Sequence, residues 1–291
     1  LALAVFGSSG KRLLDDWLDE QTDRKTNPEF ARQFTDGVSL PNSTPSDFNH
    51  RLVSHRGRQL LGGIRFYGGH IDQPFVEVVA HNFDDIDAMR DCVACEWADF
   101  NPGRLRLLVP VDEKPISDAM VDTTVFAARY EDMSRPGNDV HLTPFDTAET
   151  AIGVIDTRYA ELKKHNPELA MRVYRAESDD VRCWHKEDAV RAVCTPMKGR
   201  SAITGLLAIL QGNIEWLAGD VIHEEVILSA YAGNGLAAAA QMTWAAEIAK
   251  YPDRYLLGTI DQLNEASRRT ARRSGRRPVL DYLFLPLSKN R

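Results

Sequence analysis

The chain has 291 residues, of which 43% are hydrophobic, and its 35 basic and 42 acidic side chains give a net charge of −7. This length fits one large domain or two of ordinary size, and we expect two. The charge disfavours nucleic acid and anionic membranes as partners, and no run approaches the roughly 18 apolar residues of a membrane helix, so a cytoplasmic protein is expected.

Residues 1–138 predict an N-terminal α+β domain. A polar helical lead-in comes first, and the proline- and asparagine-rich run Ser39–Asn49 indicates an exposed connection. Apolar periodicity then predicts one helix and four strands, at Asp84–Phe100 for the helix and at Gln59–Tyr67, Pro74–Ala80, Arg104–Pro110 and Thr123–Tyr130 for the strands.

The four cysteines are too few for the disulfide framework of a small secreted domain. Cys92 and Cys95 form a C-x-x-C, but the apolar residues around them recur at helical spacing, which favours buried helix thiols. Cys183, His185 and Cys194 lack the second close pair that is typical of zinc sites. We therefore expect no metal.

The charged run Glu131–Asp139, with Pro136-Gly137, is the predicted linker to a second domain over residues 139–291. Turns are predicted at Gly199 and at Gln211-Gly212-Asn213. The predicted strands and helices, in chain order, are Val140–Pro144, Thr147–Ala176 (helix), Asp188–Cys194, Ser201–Leu210, Asp220–Ser229, Gly235–Lys250 (helix), Tyr255–Ile260, Asn264–Ser274 (helix) and Val279–Leu285. Since both halves join a helix to strands, the first could be a divergent copy of the second.

The most informative run is Glu224–Ala240, in which a strand, a glycine loop and an alanine-rich helix follow one another directly. Glycine at 233 and 235 permits positive φ and a close approach of the backbone to a ligand. The N–H groups of the helix's first turn point outward with the positive end of its dipole, so the loop can hold a phosphate. Many strand-to-helix turns, however, use glycine only to turn.

The segment Ala230-Tyr231-Ala232-Gly233-Asn234-Gly235 resembles the acyl-CoA loop of the GNAT superfamily of N-acyltransferases, whose pattern is Gln/Arg-x-x-Gly-x-Gly/Ala. Asn264, a small residue three positions later and Gly275 resemble the family's next helix, and the match covers residues 139–291. The resemblance implies a GNAT-like α+β fold with acetyl-CoA, or another acyl-CoA, as co-substrate. The residues implied to bind it are Ile227, Leu228, Ser229, Ala232, Gly233, Asn234, Gly235, Leu236, Ala237, Asn264 and Ser267.

The sequence departs from the family pattern at three alanines. Ala230 and Ala232 leave backbone N–H groups and the helix dipole as the main means of holding pyrophosphate. Ala271 stands where many members carry the tyrosine that protonates the departing thiolate. Ser267 and Tyr231 are candidates for that role, water is a third, and a CoA thiolate can also leave without a proton.

The resemblance further implies direct attack by an amine on the thioester, after the amine loses a proton to a base on the strand before the loop. We expect Glu225 to be this base and His223 to be a second proton acceptor beside it. Glu224 is the alternative, and both glutamates could instead form a solvated strand end. A backbone N–H around Ile227–Ser229 would stabilise the oxyanion. Regular alternation predicts two faces, one with His223, Glu225, Ile227 and Ser229 and the other with Ile222, Glu224, Val226 and Leu228.

The predicted function is an acetyl-CoA-dependent N-acetyltransferase, monomeric or homodimeric, whose amine acceptor is a small molecule rather than a protein. One alternative is a catalytically silent CoA-binding or regulatory module, and another is a C-terminal fold used only for assembly. The six arginines between Arg268 and Arg277 indicate a solvated basic surface, a CoA contact or nucleic acid, in that order. Acidic residues that could attract a cationic amine are Asp179, Asp180, Glu187 and Asp188.

Overall fold

The protein is an α+β chain, seen in a computed structural model that describes residues 1–35, 40, 43–111, 116–136, 140–197 and 200–287. Within these ranges the strands are β1 (Arg51–His55), β2 (Arg58–Phe66), β3 (Pro74–His81), β4 (Arg104–Pro110), β5 (Met120–Arg129), β6 (His141–Pro144), β7 (Val190–Met197), β8 (Arg200–Ile214), β9 (Leu217–Ile227), β10 (Tyr255–Asp261) and β11 (Arg277–Pro286). The helices are α1 (Ala2–Phe6), α2 (Ser9–Asp23), α3 (Pro28–Thr35), α4 (Ile86–Glu96), α5 (Ala148–His165), α6 (Pro167–Ala170), α7 (Ser178–Lys186), α8 (Leu236–Thr243) and α9 (Glu265–Ser274). Parallel and antiparallel strand pairs both occur, which confirms the predicted class with a mixed sheet.

Two compact units make up the chain, and they divide it at other places than the predicted boundary after residue 138. One unit is Leu1–Thr123 with Leu280–Arg291, and the other is Thr124–Val279. The described part of the predicted linker, residues 131–136, lies within the second unit, whose core includes Met133 and Tyr130 just before it. Its residues 137–139 lie outside the described ranges.

In the first unit an antiparallel meander leads into a parallel strand–helix–strand connection. β1, β2 and β3 pair antiparallel in chain order, and α4 carries the chain to β4, which is parallel to β3. A parallel partner requires such a crossover. β11 then pairs antiparallel with β4. Apolar side chains of the strands and of α4 form the core, chiefly Leu60, Ile64, Val76, Met89, Trp97 and Leu105.

His50, just before β1, is a buried histidine with 3% of its surface exposed. Its Nδ1–H donates to the carbonyl of Gln21 at 3.0 Å, and the Phe30 ring packs edge-on with a centroid distance of 4.8 Å. Burial, followed by the charge of Arg65, lowers the pKa of His50 to about 4. The unfolded chain therefore takes up this proton at a higher pH than the folded chain does. Consequently, the free energy of unfolding falls as the pH drops from about 6.5 to about 4.

Acid should destabilise the protein through His50 by about 3 kcal/mol across that interval, because each pKa unit corresponds to about 1.4 kcal/mol. His50→Gln keeps a donor for Gln21 but does not titrate. The difference in free energy of unfolding between the wild type and His50→Gln should change by this amount between about pH 7 and about pH 4. Urea unfolding measures it. The exposed His141→Gln is the control. A difference in free energy of unfolding that does not change with pH would contradict the prediction.

The second unit is a sheet with helices on both faces. β6 to β9 pair antiparallel in chain order, and α8 carries the chain from β9 to the parallel strand β10. Neighbouring residues of a strand point to opposite faces. Leu207 packs in a cluster with Ala238–Ala240 of α8, whereas Leu206 packs in another with Ile155 of α5 and Trp184 of α7. We call these sides of the sheet the α8 face and the α5 face.

The two units share one order of connections, which agrees with the hypothesis that the first half is a divergent copy. The first unit has β1-β2-β3-α4-β4 and the second has β7-β8-β9-α8-β10, each ending in a parallel pair. The corresponding helices begin differently. α4 is capped by Asp85, whose carboxylate accepts the N–H of Asp87, whereas the residue before α8 is Gly235, which has no side chain to cap the helix.

Two predicted elements of the second half are corrected by the structure. The turn predicted at Gln211-Gly212-Asn213 is wrong, because β8 runs on to Ile214, which pairs with Leu217 across a two-residue hairpin turn. The helix predicted over Thr147–Ala176 is interrupted at Asn166, whose φ of −146° follows from the proline after it.

Short elements of mixed polarity also escape the sequence patterns. β1 and α7 are not predicted, since their few apolar positions do not complete a recognisable period. The turn predicted at Gly199 lies outside the described residues, as do residues 39, 41 and 42 of the predicted exposed connection. No helix in the described part of the chain is both long and apolar enough to span a membrane.

All four cysteines are free thiols, and they are not all buried. Cys92 is buried in α4, which raises the pKa of its thiol to about 11, but Cys95 on the same helix is exposed. The expectation that both are buried is therefore wrong for Cys95. Among the described residues, no group of three or more His, Cys, Asp or Glu side chains is arranged to hold a metal ion.

Candidate active site

β9 and β10 run parallel but part at their carboxyl ends. Their pairing joins Asp220 to Leu256 and Val221 to Leu257, and within the described residues it extends no further. β9 nevertheless continues to Ile227 and β10 to Asp261. The two strand ends therefore leave a gap in the sheet, next to the loop that follows β9.

That loop has the backbone which its glycines predict. Gly233 has φ of +82° and Gly235 has φ of +74°, in the left-handed region. A Cβ added at Gly233 would meet no atom within 4 Å, so glycine is required there by conformation and not by lack of space. The side-chain amide of Asn234 donates to the carbonyls of Tyr231 and Ala232 at 3.1 and 3.4 Å, which closes the loop on itself.

The loop ends at the N-terminus of α8, which has no acidic residue in its first turn and no side-chain cap. The Ala239 N–H donates to the Gly235 carbonyl, and helix geometry leaves the N–H groups of Leu236, Ala237 and Ala238 without acceptors inside the helix. These groups and the positive end of the helix dipole favour an anion. The N–H groups of Leu228 and Ala232 already donate hydrogen bonds, to the carbonyls of Thr204 and Ser229 respectively.

A β-bulge in β9 overturns the predicted sharing of faces. Ala208 pairs with Glu224, whereas Ile209 pairs with Ile222, so His223 is an extra residue in β9. Regular alternation fails across such a bulge. Ile222 and Ile227 both pack on the α8 face although they are five residues apart in the sequence.

Glu225 lies on the α8 face and is held by Gln241 of α8. The Nε2 amide of Gln241 donates to both carboxylate oxygens of Glu225, at 2.8 and 3.0 Å. The Oε1 of Gln241 in turn accepts from Arg276 Nε at 3.0 Å and from the Ser274 hydroxyl at 2.7 Å. Burial raises the pKa of Glu225, and the Arg276 charge opposes that rise. The expected general base is thus part of a buried polar network beneath α8.

Glu224 lies on the opposite, α5 face and is 6% exposed. Its carboxylate accepts the backbone N–H of Ala176 at 3.1 Å, and the hydroxyl of Tyr159 on α5 lies 3.3 Å from its nearer oxygen. The same hydroxyl lies 2.8 Å from the carbonyl of Tyr174. Burial raises the pKa of Glu224, and the Ala176 and Tyr159 hydrogen bonds limit the rise.

The chain between α6 and α7 passes over the ends of the two parting strands on the α5 face. Arg172 in this segment donates to Asp261, at the end of β10, with an Nε–Oδ2 distance of 2.8 Å. Ala176 at its other end donates to Glu224 on β9. The segment therefore spans from one side of the gap to the other, with Glu224 beneath it.

His223 does not share a face with Glu225, contrary to the prediction. Its ring packs against Trp184 of α7 with a centroid distance of 5.6 Å, which places it on the α5 face with Glu224. Partial desolvation lowers the pKa of His223, although the residue is exposed by surface area, and the nearby Asp180 opposes that effect.

No protein-family model matches the chain, and no curated protein matches its sequence. Solved structures do match. An acetyltransferase of the GNAT family from Colwellia psychrerythraea aligns over 89% of this chain and 95% of its own, with a TM-score of 0.50 and 6% identity. The chain has the GNAT fold.

Two other structures with the GNAT name are similar to this chain. A GCN5-related N-acetyltransferase from Sphaerobacter thermophilus is 13% identical over 89% of this chain and 90% of its own, with a TM-score of 0.48. A tandem GNAT protein from the clavulanic acid biosynthesis pathway is 13% identical over 92% of this chain and 98% of its own, with a TM-score of 0.41.

In this GNAT fold, Asn264 is the N-cap of α9. Its Oδ1 accepts the N–H of Ser267 at 3.2 Å, so capping by itself explains the spacing of these two residues. Ala271, where many GNAT members carry tyrosine, is fully buried with Phe126 and Ile260 and has no group that could donate a proton.

The six arginines around α9 do not form one basic surface. Arg276 is buried, and the guanidinium groups of Arg268 and Arg272 lie over the Phe126 ring, at 5.6 and 5.8 Å from its centroid. Arg269 pairs with Glu265 at 3.6 Å. The remaining two, Arg273 and Arg277, are exposed.

Several residues of the site carry no signal in the sequence. Tyr159 and Gln241 occupy ordinary positions of helices, and their contacts with Glu224 and Glu225 join residues far apart in the chain. Ser229, predicted as a coenzyme contact, also donates its hydroxyl to Glu161 of α5. The only local hint is that Gln241 is a polar residue in an otherwise alanine-rich helix.

Proposed function

We propose that the protein is an acyl-CoA-dependent N-acyltransferase that transfers an acetyl group to a small-molecule amine, with the second unit as its catalytic unit. One arrangement carries the proposal. At one end of the gap between β9 and β10 lies a glycine loop suited to an anion. The buried carboxylate of Glu224 lies on the α5 face of the same gap.

The residues present fit a pyrophosphate at the start of α8. The positive φ angles of Gly233 and Gly235 and the N–H groups of the helix's first turn form a phosphate cradle. Ala230 and Ala232 supply no charged side chain, so the backbone does the binding. The corresponding start of α4 in the first unit is capped by the Asp85 carboxylate, which repels a phosphate. Bound acyl-CoA supplies the thioester carbonyl that the amine attacks.

Glu224 is the proposed general base. When ionised, it accepts from the Ala176 N–H and from the Tyr159 hydroxyl. After it takes a proton from the ammonium group of the acceptor, it can donate to Tyr159, whose hydroxyl then donates to the Tyr174 carbonyl at 2.8 Å. Both protonation states are therefore hydrogen-bonded. The burial that raises the pKa of Glu224 also brings it closer to the value a base needs near neutral pH.

A catalytically silent CoA-binding module is the second candidate. The observation that favours it is the buried Ala271, which leaves the thiolate without the usual proton donor. Release of free thiol from acetyl-CoA in the presence of an amine panel separates the two candidates. Binding of acetyl-CoA without release of free thiol with any amine of the panel would support the silent module.

Acetyl-CoA should raise the thermal midpoint, because a ligand that binds only the folded state stabilises it by mass action. At about 100 times Kd the gain is about 3 kcal/mol, or about 5 °C or more. Gly233→Val should abolish this shift, since valine resists positive φ and its side chain would stand in the loop. Gly57→Val is a matched control, because Gly57 has φ of +78° and open space around it in the β1–β2 turn. No shift in the wild type at millimolar coenzyme would overturn the proposed function.

A further inference from the structure

The chain that covers Glu224 is fastened on both sides of the gap between β9 and β10. We call this chain, residues 171–177, the strap. Arg172 near its start pairs with Asp261 at the end of β10, with an Nε–Oδ2 distance of 2.8 Å. Ala176 near its end donates its N–H to Glu224 on β9 at 3.1 Å. An ion pair and a hydrogen bond to the proposed base therefore lie at the two ends of one short piece of chain.

Of the two ion pairs that fasten the strap, the one between Arg172 and Asp261 is the better shielded from water. The Asp261 side chain is 5% exposed and that of Arg172 is 28% exposed. Arg175 pairs with Asp156 of α5, and these side chains are 30% and 55% exposed. Exposed ion pairs contribute little to stability, whereas a buried carboxylate that loses its cation is costly. Removal of Arg172 should therefore loosen the strap more than removal of Arg175.

Arg172 and Ala176 are close enough in the chain for the first to restrict the second, because only three residues lie between them. The Arg172 N–H donates to the Leu169 carbonyl at 3.0 Å, which closes the turn after α6. Tyr174 is 80% exposed, so the strap is held there by the hydrogen bond from Tyr159 to its carbonyl rather than by packing of its ring. A few polar contacts thus place the Ala176 N–H, and the Arg172 ion pair is one of them.

The Ala176 N–H favours the ionised form of Glu224, because a donor to a carboxylate stabilises its charge. Burial raises the pKa of Glu224, and this hydrogen bond opposes the rise. A loosened strap should therefore raise the pKa further. The other charged or titratable groups around Glu224 and its partners are Asp156, Arg158 and Tyr159 on α5, Arg175 on the strap, Asp180 on α7, and His223 and Glu225 on β9.

We propose that Arg172 is a positioning residue for Glu224, because its ion pair with Asp261 holds the strap and the strap holds the Ala176 N–H on the base. The inference rests on the proposed function, in which the ionisation of Glu224 governs turnover. Linkage acts in both directions. A hydrogen bond to an ionised acceptor is about twice as strong as one to a neutral acceptor. The strap is therefore firmest while Glu224 is ready to act, and it loosens once Glu224 has taken the proton of the acceptor.

Two variants that remove charges of opposite sign test this role. Arg172→Met and Asp261→Asn should both move the acid limb of kcat/KM to higher pH, by about half a pH unit or more, because both loosen the strap. Charge alone would act differently, since losing a cation raises the pKa of a nearby carboxyl and losing an anion lowers it. Thiol release as a function of pH measures the limb. Carboxyl ¹³C NMR titration of the free protein measures the midpoint of Glu224, which is assigned by its absence in Glu224→Gln.

Hydrogen exchange keeps the test decisive if only one of the two variants folds. In either variant the Ala176 amide should exchange faster than in the wild type, as followed by mass spectrometry of a peptide covering the strap. Loss of a charge without loosening would not have this effect. Arg182→Met is the matched control, because it removes an exposed arginine of α7 that pairs with Glu149 and Asp179. It should leave the acid limb and the exchange rate unchanged.

Three results would overturn the inference while leaving the proposed function intact. They are shifts of opposite sign in Arg172→Met and Asp261→Asn, an acid limb that is unchanged in both, and an equal shift in Arg182→Met. The proposed function can also fail separately. A wild-type protein that releases no thiol with any amine, but whose Glu224 midpoint rises in both variants, would overturn the proposed function and leave the hold of the strap on Glu224 standing.

Discussion

Glu224→Gln is expected to lower the rate of acyl transfer by about 10²- to 10⁴-fold, the usual contribution of a general base. Glutamine can still accept the Ala176 N–H, so the local structure and the affinity for acetyl-CoA should be retained. Thiol release with a reactive amine measures the rate, and calorimetry measures the affinity. Glu161→Gln is the control, because Glu161 is an exposed carboxylate that contacts Ser229 on the same side of the unit.

The pH profile gives a second readout of the same variant. A base acts only when it is deprotonated, so kcat/KM should fall as the pH drops through the pKa of Glu224, which burial holds above its ordinary value. This acid limb should be absent in Glu224→Gln. A variant with wild-type rate and wild-type pH profile would remove Glu224 from the role.

Glu225→Ala is expected to lower the free energy of unfolding by about 3 kcal/mol, because it leaves Arg276 as a buried charge without its opposing carboxylate. Gln241 loses an acceptor in the same change. Urea or thermal unfolding measures the effect, with Glu247→Ala, at an exposed position after α8, as the control. A variant of normal stability that has lost its activity would restore Glu225 as the base.

The two glutamates show where the sequence stops being informative. Their position on the strand before the loop follows from the apolar pattern, and the positive φ angles of the loop follow from its two glycines. Their faces do not follow, because one extra residue at His223 reverses the alternation. Nothing in the local sequence marks this bulge, since it depends on the pairing with β8.

Contacts between distant segments explain most of the remaining differences. Tyr159 reaches Glu224 across 65 residues of chain, and Ser274 reaches Gln241 across 33. Periodicity within a window of the chain cannot reveal such pairs. The division into units escapes prediction for the same reason, because β11 returns to pair with β4 after more than half of the chain has intervened.

Asp85 and Gly235 occupy equivalent places in the two similar halves, each at the start of the helix inside a parallel strand pair. At Asp85 the protein supplies its own anion, and the helix end is satisfied during folding. After Gly235 the N–H groups of the helix's first turn have no side-chain cap, and under the proposed function they bind the coenzyme. Under the proposed function, one of these two helix ends therefore contributes to stability and the other to recognition, so a chain built from two similar halves would bind coenzyme at only one of the two.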